Sequence, residues 1–524
     1  MIHFEILSRT SSSITFEIVN GSFYDLSESL SLTLIDSEQG VVAEMTTKKV
    51  INTFYHLEQQ RTYLICAEVA GAAIQSESVL TQGNNYTLDV RDFGAKGDGI
   101  HNATASIQAA ILSCPAGSKV LIPEGTYLVT SLFLKSHMEL EIGAQARLIG
   151  DTNADNFPIF PDMLETKNNE KYFSFGPWEG NPHRCYASII NVVNVEDVKI
   201  YGEGIIDGKA SYDNWWKDPK HKRNGIARPR LFFANNAKNI LLEGLTFQNS
   251  PAWTIHPLMS NHMDFLNLTI INPKVSPNTD GIDPESCKNV TIQGVHFSLG
   301  DDCIAIKSGK IYIAEHGGLP STSIVVRQCL MENGHGAVTL GSEIACGVNN
   351  VVVSECKFIN TDRGLRIKTR RGRGERSIID QILFDKIQMK GVKIPFVLNS
   401  YYFCDPDGHS AYVQTRAKLP VDERTPKVGQ LTFKNIEATD CEIAVACMEG
   451  LSEQPIEKLV FDHITASFKD DAEEGLAAMC DGAEPMKRRG FIMNNVLSVE
   501  MNHIQMKGCM GTPYVLDGVA HELS

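Results

Sequence analysis

Long apolar runs are missing from this 524-residue chain: no uninterrupted stretch approaches the roughly 18–20 residues that a membrane span needs. The opening residues, MIHFEILSRT, lack the basic segment and apolar core of a secretory leader. A cytoplasmic protein is therefore expected, with an exported one whose leader has been removed as the alternative. Net basic charge is missing as well. A formal charge of −15 repels nucleic-acid phosphates and gives anionic lipid no polybasic surface, so neither nucleic acid nor membrane is expected as a partner. An anionic ligand then needs a local basic pocket. CxxC pairs are absent, and the 13 cysteines are odd in number and scattered through strand-like runs such as those around Cys329 and Cys356. This usage points to reduced, buried thiols rather than a disulfide framework. What is present, 43% hydrophobic and 21% charged residues over a length exceeding one core, is a globular composition.

Two parts follow one another. Residues 1–84 carry short β-rich runs, HFEIL, SITFEIVN, LSLTLID and YLICAEVA, separated by Ser, Asn and Gly, as in a small β-sandwich. The stretch Leu57 to Tyr63 resembles the fibronectin type III corner, where a tyrosine hydroxyl ties a strand to nearby backbone, although the segment has no tryptophan. No chemistry is visible there, and an inert spacer or packing module is expected, joined through a linker at Thr81 to Asn85. Residues 85–524 begin with a Gly-Asp-Gly turn and one amphipathic helix that places Ile107, Ala110 and Ile111 on one side. Then a phrase recurs, starting at Val198, Ile240, Met263, Val290, Ile324, Val351 and Ile382, with weaker copies at Leu431 and Leu459. Imperfect periods of a few tens of residues, rich in β-branched residues, Asn and Gly and poor in helix, predict an all-β parallel β-helix. The Leu-spaced consensus of a leucine-rich repeat is missing. The early helix suits the open end of the solenoid as a cap, and the irregular stretches Asp151 to Arg184 and Phe403 to Lys427 suit loops that wall a cleft.

Stacking the rungs aligns the polar residues. With Gly281, Cys303, Gly336 and Gly364 in one column, the preceding column reads Asp280, Asp302, His335 and Arg363. Parallel strands lie about 4.8 Å apart, so Asp280, Asp301 and Asp302 are expected as neighbours with His335 one rung on. Arg366 and Lys368 alternate on one strand and share a face. Glycoside cleavage needs a protonated carboxyl for the leaving oxygen and an ionised one for water, and crowded carboxylates supply both states. Asp283 and Asn289, taken alone, are expected only to satisfy backbone donors.

The peptides Asn278-Thr279-Asp280-Gly281, Gly300-Asp301-Asp302, Gly334-His335-Gly336 and Arg366-Ile367-Lys368, in that order, resemble the signatures of the polygalacturonases, glycoside hydrolase family 28. The resemblance covers residues 86–524. It implies a right-handed parallel β-helix that hydrolyses α-1,4-linked galacturonate oligomers or polymers with inversion and without metal or other cofactor. By it Asp301 is the general acid, Asp280 and Asp302 position and deprotonate water, and His335 supports the acid. Arg366 and Lys368 bind galacturonate carboxylates, Asn278 lies in the first signature, and a downstream tyrosine, Tyr401 or Tyr402 with Tyr401 preferred, contacts sugar. The phrases PAWTIHP, IKSGK, GSE and TRRGRG look like the bacterial exo-acting branch. Within PAWTIHP, His256 is taken as a substrate contact, and Trp253 is weighed evenly between sugar stacking and packing. Trp215 and Trp216 are expected to be anchors. Arg370, Arg371, Arg373 and Arg376 are expected mostly in a solvated turn, with one or two meeting substrate. Rival readings are a rhamnogalacturonan or xylogalacturonan hydrolase, a calcium-dependent β-eliminase, and a non-catalytic glycan-binding β-helix.

Overall fold

The computed structural model describes residues 3–69, 72–75, 78–165, 172–219 and 222–523. At the front, one antiparallel sheet of His3–Arg9, Ile14–Val19 and Ile51–Phe54 faces a second built around Asp25–Asp36 and Thr62–Val69. Alternation drives the packing: Leu30, Leu32 and Leu34 point inward from one strand to meet Phe16 and Ile65. The expected corner is present, because the Tyr63 hydroxyl accepts the Glu58 backbone N–H at 3.0 Å. This core draws on residues between Ile14 and Val79, whereas the solenoid's own core starts at Val90.

The rest is a right-handed parallel β-helix with three long sheets. Every phrase start named above pairs with the next in register along the first sheet, from Val198 with Ile240 through to Leu431 with Leu459. A β-branched or other apolar residue at the same point of each rung therefore stacks on its equivalent, and the stack forms a continuous core. Asn turns recur because Asn tolerates the left-handed region: Asn239, Asn289 and Asn350 have φ of 56°, 56° and 53°. Asn289 donates to the Asn261 side chain at 3.0 Å, so it stacks on the neighbouring turn's Asn rather than accepting from a backbone donor as expected. The helix Thr104–Ser113 buries Ile107, Ala110 and Ile111 against the first rungs and closes that end.

The front domain is not an inert spacer. Ser11, Ser12 and Ser13 donate to Glu139, Glu141 and Glu243 of the solenoid at 2.6, 2.8 and 2.7 Å. Buried Glu17 takes both guanidinium nitrogens of Arg327, at 2.6 and 2.8 Å, together with the amides of Gln293 and Gln328. The expected linker is likewise tied down, since the Thr81 hydroxyl donates to the Glu58 carbonyl at 2.6 Å. These contacts run along the first sheet. The third sheet, which runs from Ile255–Leu258 through bridges at Ile282 and Glu285 to Ile304–Ile306, Val338–Gly341, Arg363–Lys368 and Ile394–Asn399, carries the site.

Candidate active site

Register on the third sheet decides which side chains meet. Ile282 pairs with Ile304, Ile304 with Val338, and Val338 with Leu365. Asp280, Asp302 and Arg363 thus share a level as expected, but the His335 rung is displaced by one residue. Gly336, not His335, lies level with Asp302, and His335 lies level with Asp301. The reason is steric: a Cβ at Gly336 would come 2.9 Å from Asp302 Oδ1 and 2.4 Å from Thr339 Oγ1, so only glycine admits the Asp302 carboxylate there. The shift brings the imidazole to the acid, with His335 Nδ1 at 3.3 Å from Asp301 Oδ1.

Asp280, Asp301 and Asp302 present carboxylate oxygens that all lie within 4.8 Å of one another. They face a cleft of about 340 Å³ that Arg366 and Lys368, further along the same sheet, also line. Arg366 lies 3.2 Å from Asp302 Oδ1 and Lys368 2.9 Å from Oδ2, so both oxygens of Asp302 are in ion pairs. Burial raises the proton affinity of Asp302, but Lys368 and then Arg366 overcome it and hold the group well below the ordinary carboxylate range. Asp280 is pushed well above that range, first by burial and then by the charges of Asp301 and Asp283. For Asp301, burial acts upward most strongly, and the hydrogen bond from His335 together with the charges of His335 and Lys368 outweighs it, leaving a net lowering. His335 is raised in return, chiefly by that same hydrogen bond. The positive charge at the three carboxylates is supplied by the protein's own cations. Two other groups with metal-ligand chemistry, Asp462 with His463 and His503, and His137 with Glu196 and Asp197, sit on half-buried to exposed surface turns.

Asn278 lines the cleft with φ 55°, and its Oδ1 accepts from Arg228 at 2.8 Å. Two expected contacts are corrected. Tyr401 is fully buried, with its ring beneath the Arg416 guanidinium at 3.8 Å and its hydroxyl on the Gly450 carbonyl. The Asn399 side chain accepts the Tyr401 N–H and bends the chain after the strand, so it is Tyr402 that lines the cleft, 5.7 Å beneath the Lys368 ammonium. His256 is also fully buried. Its Nε2 meets Glu285 at 2.9 Å, its ring packs between Phe233 and Trp253, and burial keeps it neutral. The loop carrying Phe160 and Trp178 covers this part of the sheet, with Phe160 on Phe233 and Trp178 stacked on Trp253. Trp253 packs there and also lines the cleft, so both of its expected roles stay open, and Trp215 and Trp216 are buried anchors.

The arginine-rich turn is not mostly solvated. Arg370 and Arg373 are buried and, with Lys310, converge on Asp405, while Arg371 forms a two-point pair with Glu453 and donates to the Thr415 carbonyl. They staple the 403–427 loop to the solenoid. Arg376 donates to the carbonyls of Ala314 and Gly318. Sequence reasoning gave no role to Lys307, Lys310, Glu343, Asp405 or Glu179, which also line the cleft. The signal was available for the first three, because they fall within the IKSGK and GSE phrases.

Acidic residues converging with cations on the outer wall of a parallel β-helix define a glycosidase-type site. The chain belongs to the glycosyl hydrolases family 28, whose model matches residues 114–457. Among relatives, a probable polygalacturonase of Vitis vinifera is 29% identical over 397 residues, covering 74% of this chain and 76% of its own. An endo-polygalacturonase of Pectobacterium parmentieri is 32% identical over 364 residues, covering 64% and 84%. The family 28 exopolygalacturonase structure of Yersinia enterocolitica superposes with a TM-score of 0.70 at 18% identity, over 100% of this chain and 98% of that one, and so shares the fold.

Proposed function

We propose that the protein hydrolyses α-1,4-galacturonosidic bonds of galacturonate oligomers or polymers, acting from a chain end with inversion. The observation that carries this reading is the convergence of Asp280, Asp301 and Asp302 with Arg366 and Lys368 in one cleft. Asp301 delivers the proton to the leaving oxygen, Asp280 and Asp302 orient and deprotonate water, and the two cations take the uronate carboxylate, with Tyr402 against the sugar. At rest the proton affinity of Asp280 is raised, first by burial, and that of Asp301 is lowered. The three carboxyls titrate as a set, however, and a proton on Asp280 has less than 4.8 Å to travel. A substrate carboxylate on Arg366 and Lys368 also adds negative charge and draws those cations from Asp302, which raises the proton affinity of the whole set.

The carboxylates are closer than the roughly 6.5–9.5 Å usual for inverting pairs. Inversion is favoured instead by the state of each candidate nucleophile. Asp302 has both oxygens in ion pairs, Asp301 is engaged by His335, and Asp280 is buried with Lys307 3.9 Å from its Oδ2. Proton NMR of the first anomer formed tests this: β-anomer from the α-linked substrate is expected, and α-anomer refutes it. End-wise action is supported by the stapled 403–427 loop, whose Asp405 stands in the cleft wall. The buried free thiols support a cytoplasmic site of action, which cell fractionation tests. The deciding experiment is chromatography of the earliest products from defined oligogalacturonides, with and without chelator. Saturated mono- or digalacturonate in both arms is expected. A mixed ladder refutes end-wise action, and ultraviolet-absorbing unsaturated products refute hydrolysis.

A further inference from the structure

Behind the three carboxylates lies a second set of buried ionisable groups that the reaction as described leaves unused. Asp283 was expected to serve backbone donors, yet its carboxylate takes none, and its side chain is wholly buried. Its nearest charge is Lys307, 3.4 Å from Oδ1. Lys307 is itself buried, and its ammonium lies 3.9 Å from Asp280 Oδ2, 3.6 Å from Glu343 Oε2 and 4.6 Å from the centre of the Trp253 ring. Register explains the meeting. Glu285 bridges Lys307 between adjacent rungs, which sets Asp283 two residues upstream on one rung beside the lysine stem on the next. One ammonium thus stands among three carboxylates, one of which is catalytic.

We propose that Lys307 and Asp283 are positioning residues that set the charge of Asp280: Lys307 favours the ionised base that takes the proton of water, and Asp283 opposes it. This deepens the function proposed above and rests on Asp280 acting in hydrolysis. Low permittivity forbids three ionised carboxylates around one ammonium, so one proton is held among them. Burial followed by the opposing pull of Lys307 leaves Asp283 raised to about 7, while Glu343 is lowered, with Lys307, Lys310 and then Lys368 outweighing its burial. The proton therefore belongs to Asp280 and Asp283, not to Glu343. The other groups facing the set do not change its sign. Asp301 and Asp302 on the next rung act with Asp283 on Asp280, and Arg228 opposes them. Glu285 is raised to about 7 by burial, then by Glu343, and pairs with neutral His256, whose neighbouring cation is Arg230.

The two side chains act on Asp280 with opposite signs, and this separates the proposal from general damage. In Lys307→Met the acidic limb of kcat should move to higher pH by about 1–3 units, the usual effect of an opposite charge at this range. In Asp283→Asn it should move to lower pH. KM should stay within about twofold in both, because Arg366 and Lys368 are untouched, and Lys307→Arg should restore the limb. Infrared titration of the protonated-carboxyl band in the resting protein reads the same change without turnover: more protonated carboxyl at neutral pH in Lys307→Met than in wild type. Asp283→Asn and Lys307→Arg carry the test if Lys307→Met does not fold. Limbs that stay put, or move in the same direction, in the two variants overturn the inference, as does an infrared titration unchanged by Lys307→Met or, where that variant does not fold, by Asp283→Asn. An inactive wild type on galacturonate substrates overturns the hydrolytic reading instead, and the infrared arm still decides the inference.

Discussion

Replacing Asp301 with Asn removes one proton donor and one negative charge while keeping the side chain's shape. The amide oxygen still accepts the Asp302 backbone N–H, which the carboxylate takes at 2.9 Å, so the turn that presents Asp302 is preserved. A positioned general acid contributes about 10²–10⁴ in rate, or about 3–5 kcal/mol of barrier. The lost charge has its own effect. Two unit charges about 5 Å apart at an effective permittivity of about 20 repel by about 3 kcal/mol, so relieving this repulsion should lower the proton affinity of Asp280 by about 2 pH units. Asp301 is the largest charge contribution to the raised affinity of Asp280, after burial. The variant should then show kcat on oligogalacturonides reduced 10²–10⁴-fold, an acidic limb displaced downward, and a thermal midpoint no lower than wild type. An aryl galacturonide with an activated leaving group needs little protonation, and its hydrolysis should fall less than about tenfold. Turnover of oligogalacturonides within tenfold of wild type, or an equal loss on both substrates, would falsify the assignment of Asp301 as acid.

Three further outcomes follow from the same geometry. In His335→Gln the carboxyl of Asp301 loses the hydrogen bond that lowers it, so the alkaline limb of kcat/KM should move to higher pH while the plateau drops; an unmoved limb removes His335 from the acid's support. Any stability from the His335–Asp301 pair is full below the ordinary histidine range and fades as pH rises through the raised value. In Asp405→Asn three cations are left facing one another, at a cost of about 3–5 kcal/mol. Hydrogen exchange across 403–427 should accelerate and early products should broaden toward a ladder, whereas unchanged protection would refute the staple. The wild-type anchor is lowered from 3.8 to about 2, because Arg373, then Lys310 and Arg370, outweigh its burial, so its stabilisation is present above about pH 4 and lost as pH falls through about 2. In Glu17→Ala the clamp to Arg327, Gln293 and Gln328 goes, and calorimetry should resolve a separate, earlier melting of the front domain; a single unshifted transition would show that the serine contacts suffice.

The solenoid was legible because its physics is local and repeated. A rung needs apolar residues at fixed places and a left-handed turn residue after them, so the starts from Val198 to Leu459 could be aligned by eye, and all of them pair in register. The site was legible to the extent that adjacent rungs align. Asp280, Asp301, Asp302, Arg366 and Lys368 meet as read, and the one-residue slip at His335 arose because Gly336 resembles the glycines at 281 and 364 but sits one place before their column. The residue that fills the column of Gly281, Cys303 and Gly364 on that rung is Ala337, with both Gly334 and Gly336 lying before it. Where a side chain's environment depends on a distant loop, the sequence is silent. His256 looks exposed until Phe160 and Trp178 lie across its sheet, and the arginines after Lys368 look solvated until the 403–427 loop supplies Asp405. Tyr401 and Tyr402 differ only in which way one Asn399 hydrogen bond turns the chain.

A protein of net charge −15 that takes a polyanion must create its attraction locally, and in the function proposed above the same two cations would serve substrate and catalyst. Arg366 and Lys368 are committed to Asp302 when the cleft is empty. A uronate carboxylate arriving between them shares their charge, and each ion pair weakened on Asp302 strengthens the hold of the carboxylate set on its proton. Binding and acid formation are then linked: substrate should bind with proton uptake near neutral pH, and a neutral methyl ester at the same position should not draw a proton. Calorimetric titration of an inactive Asp301→Asn variant with oligogalacturonate in buffers of different ionisation enthalpy measures that uptake directly. Equal proton counts for the free acid and its methyl ester would show that Arg366 and Lys368 bind substrate without passing the charge on to the carboxylates.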